Sequence, residues 1–221
     1  CDSCGAWNSL IEELPREELP GGMSKNKLDR LVPADLNVFL RALLHQPVKR
    51  VPDAWTEKCL HWKNLFAKVE PAFDSPDVVD LYQLADRLSG LMPAGSTLVT
   101  DSGLAEVILP SNVRFQDGVD CIHPASQGAM GFALPAAIGA QHATNGTVLA
   151  VIGDGSVMMN LQELESIRYQ HLPIKLIVIN NNGGAIFDLL PAPEAERERF
   201  YRMPHGLDFS HAAAMFGMAY A

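Results

Sequence analysis

TVLAVIGDGSVMMNLQELESIRYQHLPIKLIVINNN, residues 147–182, contains two short apolar runs with a helical pattern between them. TVLAVI (147–152) and IKLIVI (174–179) are rich in β-branched and aliphatic residues without polar alternation, which is typical of strands buried on both faces. Between them, apolar residues recur at helical spacing, at Leu161, Leu164 and Ile167. Because such crossovers are right-handed and make their strands parallel, the stretch predicts a three-layer, doubly wound α/β fold.

Polar residues follow both predicted strands. Gly153-Asp154-Gly155-Ser156 comes after the first strand and Asn180–Asn182 after the second. The carboxyl ends of parallel strands share one edge of the sheet, where ligands bind in such folds. Glycines allow the backbone to approach a phosphate, and carboxylate and amide oxygens suit Mg²⁺. The spacing therefore predicts a magnesium–phosphate site at this edge. Asn160 and Glu163 stand at capping-box spacing and predict the helix start between the strands.

These residues carry a family resemblance. GDGS followed by NNN is similar to the thiamine diphosphate motif of the pyruvate oxidase and acetolactate synthase superfamily. The upstream GAMGFALPAAIGA (128–140) resembles acetolactate synthases. NNNGGAIFDLLP and ERERFYRMPHGLDFSHAAAMF, further on, resemble the menaquinone-pathway succinyl-enolpyruvyl-hydroxycyclohexene-carboxylate synthase. The resemblance covers about residues 75–221.

The resemblance implies thiamine diphosphate and Mg²⁺ as cofactors. The implied Mg²⁺ ligands are Asp154, the side chain of Asn181 and the carbonyl of Gly183. The implied contacts to thiamine diphosphate are Ser102, Gly103, Gly128, Met130, Gly153, Gly155, Ser156, Asn181, Gly183, Ile186 and Phe187. The side chain of Met130 would wedge under the cofactor and hold it bent.

The activity that the resemblance implies is decarboxylation of a 2-keto acid, with carboligation, by an acetolactate synthase-like enzyme. No catalytic residue is expected here, since the activating glutamate belongs to a pyrimidine-binding domain on a second subunit of a homodimer or homotetramer. The resemblance leaves open whether the parent protein binds FAD.

Four positions carry residues that differ from those of the acetolactate synthases or of the menaquinone-pathway enzyme. Leu104 and Ala105 stand where acetolactate synthases place a glutamine and a histidine on the diphosphate. Glu106 and Ala125 stand where the menaquinone-pathway enzyme places arginines on its dianionic substrates. A carboxylate at such a place opposes carboxylate binding, which favours the acetolactate synthase-like branch. The menaquinone-pathway activity and a nonenzymatic cofactor-binding or regulatory fragment are the alternatives.

Composition narrows the class of protein further. Of the 221 residues, 48% are hydrophobic, enough for a core, and the net charge of −9 argues against nucleic-acid binding. The sequence contains no apolar run near the roughly 20 residues of a membrane span. Its four cysteines do not suggest a disulfide framework. We therefore expect a cytoplasmic protein without membrane partners.

Three regions are expected along the chain. Residues 1–46 resemble the tail of a central domain, 47–74 a linker and helix, and 75–221 a thiamine diphosphate- and Mg²⁺-binding domain. Because the sequence begins with Cys and ends where another strand is expected, we expect a piece of a longer chain with this last domain incomplete.

Several local elements are predicted. Asp35 should start a helix within residues 33–45, packed through Leu36, Phe39, Leu40 and Leu43. Ser75-Pro76 should start a helix that ends at Gly90, and Pro135 another. STLVTD (96–101) should be a strand of the cofactor domain.

The sequence allows two interpretations for each of two sets of polar residues. His123 either reaches substrate or is an incidental loop residue. Arg197, Arg199 and Arg202 belong either to a lid over an anionic substrate or to a solvated helical turn.

Overall fold

The computed structural model describes residues 34–47, 51–65, 69–71, 78–202 and 204–221. They divide into two compact units, with the division between residues 64 and 65. The helices of eight or more residues are α1 (Leu36–Leu44), α2 (Asp53–Leu65), α3 (Leu81–Leu91), α4 (Leu104–Asn112) and α5 (Ala133–Ala143). The shorter ones are α6 (Asp154–Val157), α7 (Glu163–Tyr169), α8 (Glu194–Glu196) and α9 (Phe209–Met215). The strands are β1 (Thr97–Thr100), β2 (Asp120–Ile122), β3 (Val148–Gly153) and β4 (Lys175–Ile179). A 3₁₀ helix (Ala185–Leu189) and a π-helical turn (Arg197–Tyr201) lie between β4 and α9.

The four strands form one parallel sheet in the order β2-β1-β3-β4. The chain moves outward from β1 to β2 and then crosses back to β3 on the other side of β1. This reversal creates a crevice between the carboxyl ends of β1 and β3, the usual ligand position in open α/β sheets. Thr100 pairs with Val151 at that end, which brings the loops after β1 and β3 side by side.

Both faces of the sheet are covered, which confirms the predicted three-layer fold. Alternate residues of β3 point to opposite sides. Val148, Ala150 and Ile152 pack with α5 and α7, whereas Leu149 and Val151 pack with α3 and α4. This two-sided burial explains why the strand sequence is apolar throughout instead of alternating with polar residues.

Two predicted helix boundaries were wrong, and a third lies outside the described residues. Ser75 and Pro76 lie outside the described residues, and the described chain becomes helical only at Leu81, where the Asp80 side chain accepts the amides of Tyr82 and Gln83. Gly90 does not end this helix, which continues to Leu91. The helix assigned to Pro135 begins two residues earlier, at Ala133.

The predicted capping box was also wrong. The helix α7 begins after Gln162 and has no side-chain cap. The Asn160 side chain points instead to the backbone of Gly131. A tertiary contact therefore outcompetes the local cap.

The helix α1 confirms Asp35 as its cap, since its carboxylate accepts the amides of Asn37 and Val38 at 2.9 and 3.1 Å. Its apolar residues do not pack as predicted, because every residue of α1 is exposed. The residues of α2 are exposed as well. Among the helices of the described ranges, none combines the length and hydrophobicity needed to cross a bilayer.

Candidate functional site

A cavity of about 400 Å³ opens at the carboxyl ends of β1, β3 and β4. It contains every predicted cofactor- and metal-binding residue in its wall. The lining residues are Leu81, Ser102, Gly103, Leu104, Ala105, Glu106, Gly128, Met130, Gly153, Asp154, Gly155, Ser156, Ile179, Asn181, Gly183, Gly184, Ala185, Ile186 and Phe187. Residues from four separate loop regions and the start of α3 thus converge on one concave surface.

Asp154 is the buried carboxylate of this cavity, with 2% of its surface exposed. Its Oδ2 accepts the amides of Asn181 at 3.0 Å and Asn182 at 2.6 Å, which tie the ends of β3 and β4 together. Its Oδ1 accepts the Gly155 amide at 2.7 Å. These backbone donors compensate for burying the negative charge. They also fix the direction of the carboxylate toward the cavity.

The asparagines after β4 have different structural roles. Asn181 lines the cavity and its Oδ1 accepts the Gly183 amide at 3.2 Å. Asn182 adopts a left-handed backbone with φ of 55°, a conformation that asparagine tolerates better than most residues. This turn lets two consecutive amides reach Asp154.

The loop that carries Gly128 and Met130 is held from both sides at Gly131. The Gly131 amide donates to Asp101 Oδ1 at 3.1 Å, and Asn160 Nδ2 donates to the Gly131 carbonyl at 2.8 Å. Asp101 Oδ2 also accepts the Ala133 amide at 2.8 Å. Asp101 is completely buried, so these bonds anchor the loop to the end of β1.

Met130 faces the cavity and not the core, with 41% of its surface exposed. The thioether is flexible and apolar, which suits contact with a ring that enters the cavity. Its place agrees with the wedge position that the sequence predicts, although its role there stays a prediction.

Two helix amino termini open onto the same cavity. The helix α4 begins after Gly103 and α6 after Gly153, and neither has a side-chain cap. A Cβ atom added to either glycine would enter open space. Apart from the Gly155 amide, which donates to Asp154 Oδ1, first-turn amides beside such a space provide donors for a phosphate group.

The charges of the cavity wall are negative. Asp154 and Glu106 line it, and within the described residues the wall contains no lysine or arginine. His123 Nδ1 lies 3.8 Å from Glu106 Oε1 at the side of the cavity, and His123 is not among the lining residues. In the described ranges, no three His, Cys, Asp or Glu side chains converge on one point. A cation here would therefore need amide, backbone and ligand oxygens beside Asp154.

The three arginines of the charged segment do not line this cavity. Arg197 donates to the carbonyls of Asp188, Leu190 and Ala192 at 3.0, 2.9 and 3.1 Å. Arg202 pairs with Glu194 and Glu198 at 2.7 and 2.6 Å, and this raises the pKa of its guanidinium. Arg199 lies over the Phe200 ring, 5.0 Å from its centroid. These contacts favour the helical-turn interpretation over the lid.

Residues 101–221 match the family described as thiamine pyrophosphate enzyme, C-terminal TPP binding domain. The chain belongs to this family. The match begins at Asp101, directly after β1, and includes every loop of the cavity. Residues 101–221 thus correspond to the C-terminal thiamine pyrophosphate-binding domain of this enzyme family, as the sequence predicted.

Two curated relatives are 2-succinyl-5-enolpyruvyl-6-hydroxy-3-cyclohexene-1-carboxylate synthases. The one from Yersinia enterocolitica is 35% identical over 199 residues, which cover 89% of this chain and 34% of that protein. The one from Serratia proteamaculans is 43% identical over 141 residues, which cover 63% of this chain and 25% of that protein. The chain spans about a third or less of the curated relatives it matches.

The donors present in the cavity fit thiamine diphosphate. The uncapped amides of α4 and α6 suit the diphosphate, and the apolar side chains of Ile186 and Phe187 line the same cavity. Asp154 and Asn181 supply oxygens that suit a divalent cation. The contact assigned to each residue stays a prediction.

Sequence analysis missed three residues of the site's support. Asp101 and Asn160 hold Gly131, and His205 lies 3.1 Å from Asp154. Asp101 has a usable signal, since like Asp154 it is an acid that directly follows a buried strand. Asn160 and His205 act through contacts distant in sequence and leave no local pattern.

Proposed function

We propose that this chain supplies the diphosphate- and Mg²⁺-binding half of an active site that decarboxylates a 2-keto acid and joins the remaining acyl unit to an acceptor. A second subunit contributes the pyrimidine-binding domain that completes the site. The observation that carries the proposal is the cavity in which buried Asp154, Asn181 and two uncapped helix termini meet.

The charge balance of the cavity supports a metal. A diphosphate placed here would meet two carboxylates, Asp154 and Glu106, and no basic side chain among the described lining residues. Like charges in a partly enclosed site repel strongly. A divalent cation held by Asp154, Asn181 and the Gly183 carbonyl would offset this repulsion with its positive charge.

The residues of the cavity would have different roles around a bound cofactor. Thiamine diphosphate, when bound, would supply a carbon nucleophile for the keto group. Met130 would support the cofactor from the cavity wall, and Gly128 would offer its backbone to the aminopyrimidine. Ile186 and Phe187 would shield the reacting side from water.

Glu106 favours an acetolactate synthase-like carboligase. Its side chain is 18% exposed and lies in the cavity wall, where a substrate carboxylate would approach. A substrate with one carboxylate can bind with that group directed away from Glu106, whereas a dianionic one has less freedom to do so.

The menaquinone-pathway synthase is the second candidate, because both relatives reported above have that activity in their names. The branch is tested with the full-length protein that contains this chain. Release of CO₂ from a panel of 2-keto acids, with product identified by mass spectrometry, supports the first candidate. Formation of 2-succinyl-5-enolpyruvyl-6-hydroxy-3-cyclohexene-1-carboxylate from its precursors establishes the second.

Cofactor binding is tested separately by calorimetry. Thiamine diphosphate should bind the full-length protein with MgCl₂ present, and a chelator should abolish this binding. Asp154→Ala should abolish it as well, whereas Asp117→Ala, on an exposed turn, should leave it unchanged. Unchanged binding by Asp154→Ala would disprove the ligand assignment. No binding by the folded wild-type protein would favour a nonenzymatic role.

A further inference from the structure

A segment after the π-helical turn returns to the asparagine turn beside the cavity. The Gly206 amide donates to Asn182 Oδ1 at 3.2 Å, and Asn180 Nδ2 donates to the Leu207 carbonyl at 3.4 Å. These bonds give the outer two asparagines a task other than cofactor binding. They also place His205 next to Asp154.

His205 Nε2 lies 3.1 Å from Asp154 Oδ2. This nitrogen is buried, and within the described residues it makes no aligned hydrogen bond. A small rotation of the carboxylate or ring would align it with Oδ2. A buried polar atom with an acceptor this close is arranged for that contact, since leaving it unpaired is costly.

The tautomer of His205 follows from its other nitrogen. The Leu207 amide donates to His205 Nδ1 at 2.9 Å, so Nδ1 carries a lone pair. A neutral imidazole then has its proton on Nε2. The group that faces Asp154 is therefore an N–H donor.

The orientation of the His205 imidazole ring is also fixed. Phe209 at the start of α9 packs edge-on against His205, with centroids 6.1 Å apart and ring planes at 82°. Because Phe209 is itself part of the packing against the sheet, the donor has a fixed direction.

We infer that His205 is a positioning residue for the metal ligand Asp154. The amides of Asn181 and Asn182 hold Oδ2, and the His205 N–H, after the small rotation described above, adds a third donor to it, so that Oδ1 is presented to the cation. Within the described residues, Oδ1 accepts the Gly155 amide alone and keeps a lone pair for the metal. Partners behind a metal ligand orient it in this way, and their loss typically weakens metal affinity 10- to 100-fold. The inference rests on the proposed function, because it takes Asp154 as a Mg²⁺ ligand.

The test is a calorimetric titration of MgCl₂ into the full-length protein in a fixed excess of thiamine diphosphate, from which the same titration into thiamine diphosphate alone is subtracted. His205→Ala should raise the Kd for Mg²⁺ by about 10- to 100-fold. His205→Gln, whose amide N–H reaches a similar distance, should stay within about threefold of wild type. His211→Ala removes an exposed histidine of α9 and should have no effect.

Comparison of the variants distinguishes a failure of this inference from a failure of the proposed function. If Asp154→Ala binds Mg²⁺ and cofactor as the wild type does, the metal assignment itself fails. If Asp154→Ala loses binding while His205→Ala stays within twofold of wild type, the role of His205 is disproved. If His205→Gln is as weak as His205→Ala while both keep the wild-type circular dichroism, the N–H donor is not what matters, and the inference is overturned.

Discussion

The buried carboxylate of Asp101 accepts the backbone amide of Gly131, 30 residues further along the chain, at 3.1 Å. Asp101 directly follows β1, and Gly131 directly follows Met130, so the bond joins two of the loops that build the cavity. Asp154 does the same between β3 and β4, where it accepts the amides of Asn181 and Asn182. Two buried acids at neighbouring strand ends therefore tie the loops of the site to a rigid sheet.

Asp101→Asn should loosen the Met130 loop. The carboxylate accepts amides with both oxygens, whereas an asparagine would present an NH₂ group to one of them. We expect the free energy of local opening to fall by about 1–3 kcal/mol. Hydrogen exchange of peptides that contain Gly131 and Ala133 measures this. Asp117→Asn on an exposed turn is the control, and unchanged exchange in Asp101→Asn would contradict the prediction.

Gly131→Ala should destabilise the domain through a clash. Gly131 has φ of +81°, and a Cβ there would lie 2.8 Å from both Met159 Cβ and Asn160 Nδ2. Gly118→Ala is a matched control, because Gly118 has φ of +79° and its nearest atom would be 3.7 Å away. Gly118→Ala should lower the free energy of unfolding by about 1–2 kcal/mol because its backbone is left-handed. Gly131→Ala should lower it by about 1–3 kcal/mol more, because the added Cβ also clashes. Chemical denaturation followed by circular dichroism compares the two variants. Equal losses of unfolding free energy would mean that a Cβ at residue 131 does not clash.

Met130→Ala should alter the shape of the bound cofactor. The side chain occupies the cavity wall, so its removal leaves the cofactor without that support. We expect a changed circular dichroism signature of bound thiamine diphosphate and weaker binding. Met158→Ala removes a methionine of similar exposure that does not line the cavity, and it should keep the wild-type signature. An unchanged signature in Met130→Ala would exclude the wedge role.

Arg197→Ala should open the turn around residues 188–192. Its guanidinium donates to three carbonyls of this turn and has only 23% of its side chain exposed. Losing these bonds should lower the local opening free energy by about 1.5–3 kcal/mol. Hydrogen exchange of peptides from this turn should accelerate in Arg197→Ala and not in Arg199→Ala. If substrate affinity falls in Arg197→Ala while exchange is unchanged, the lid interpretation is correct instead.

Alkylation of Cys121 should be slow and strongly dependent on pH. Burial raises the pKa of its thiol to about 11, so at pH 8 about one thousandth of it is the reactive thiolate. As the pH rises toward 11 the thiolate fraction grows, and the rate with iodoacetamide should increase about tenfold per pH unit. Peptide mass spectrometry follows the rate at Cys121 in native protein and in urea. Equal rates in the two states at pH 8 would contradict the raised pKa.

The strands β3 and β4 were predictable from their apolar runs, and β1 from its short run of β-branched and aliphatic residues. The strand β2 was not, since Asp120–Ile122 is a short segment without such a run. Its place at the edge of the sheet depends on pairing with β1. The cap of α3 at Asp80 was not predicted, and the predicted start at Ser75-Pro76 lies outside the described residues.

The sequence by itself determined the parallel α/β architecture and the sheet edge at which the cavity lies, because apolar runs and glycine turns are local patterns. The family resemblance, with its 27-residue spacing between Asp154 and Asn181, indicated further lining residues such as Met130 and Phe187. The tertiary structure alone decided which groups hold those residues in place: Asp101 and Asn160 on Gly131, and His205 beside Asp154. Such partners are chosen by proximity in the folded chain, and a hydrogen bond between distant residues imposes no periodicity that a sequence could display.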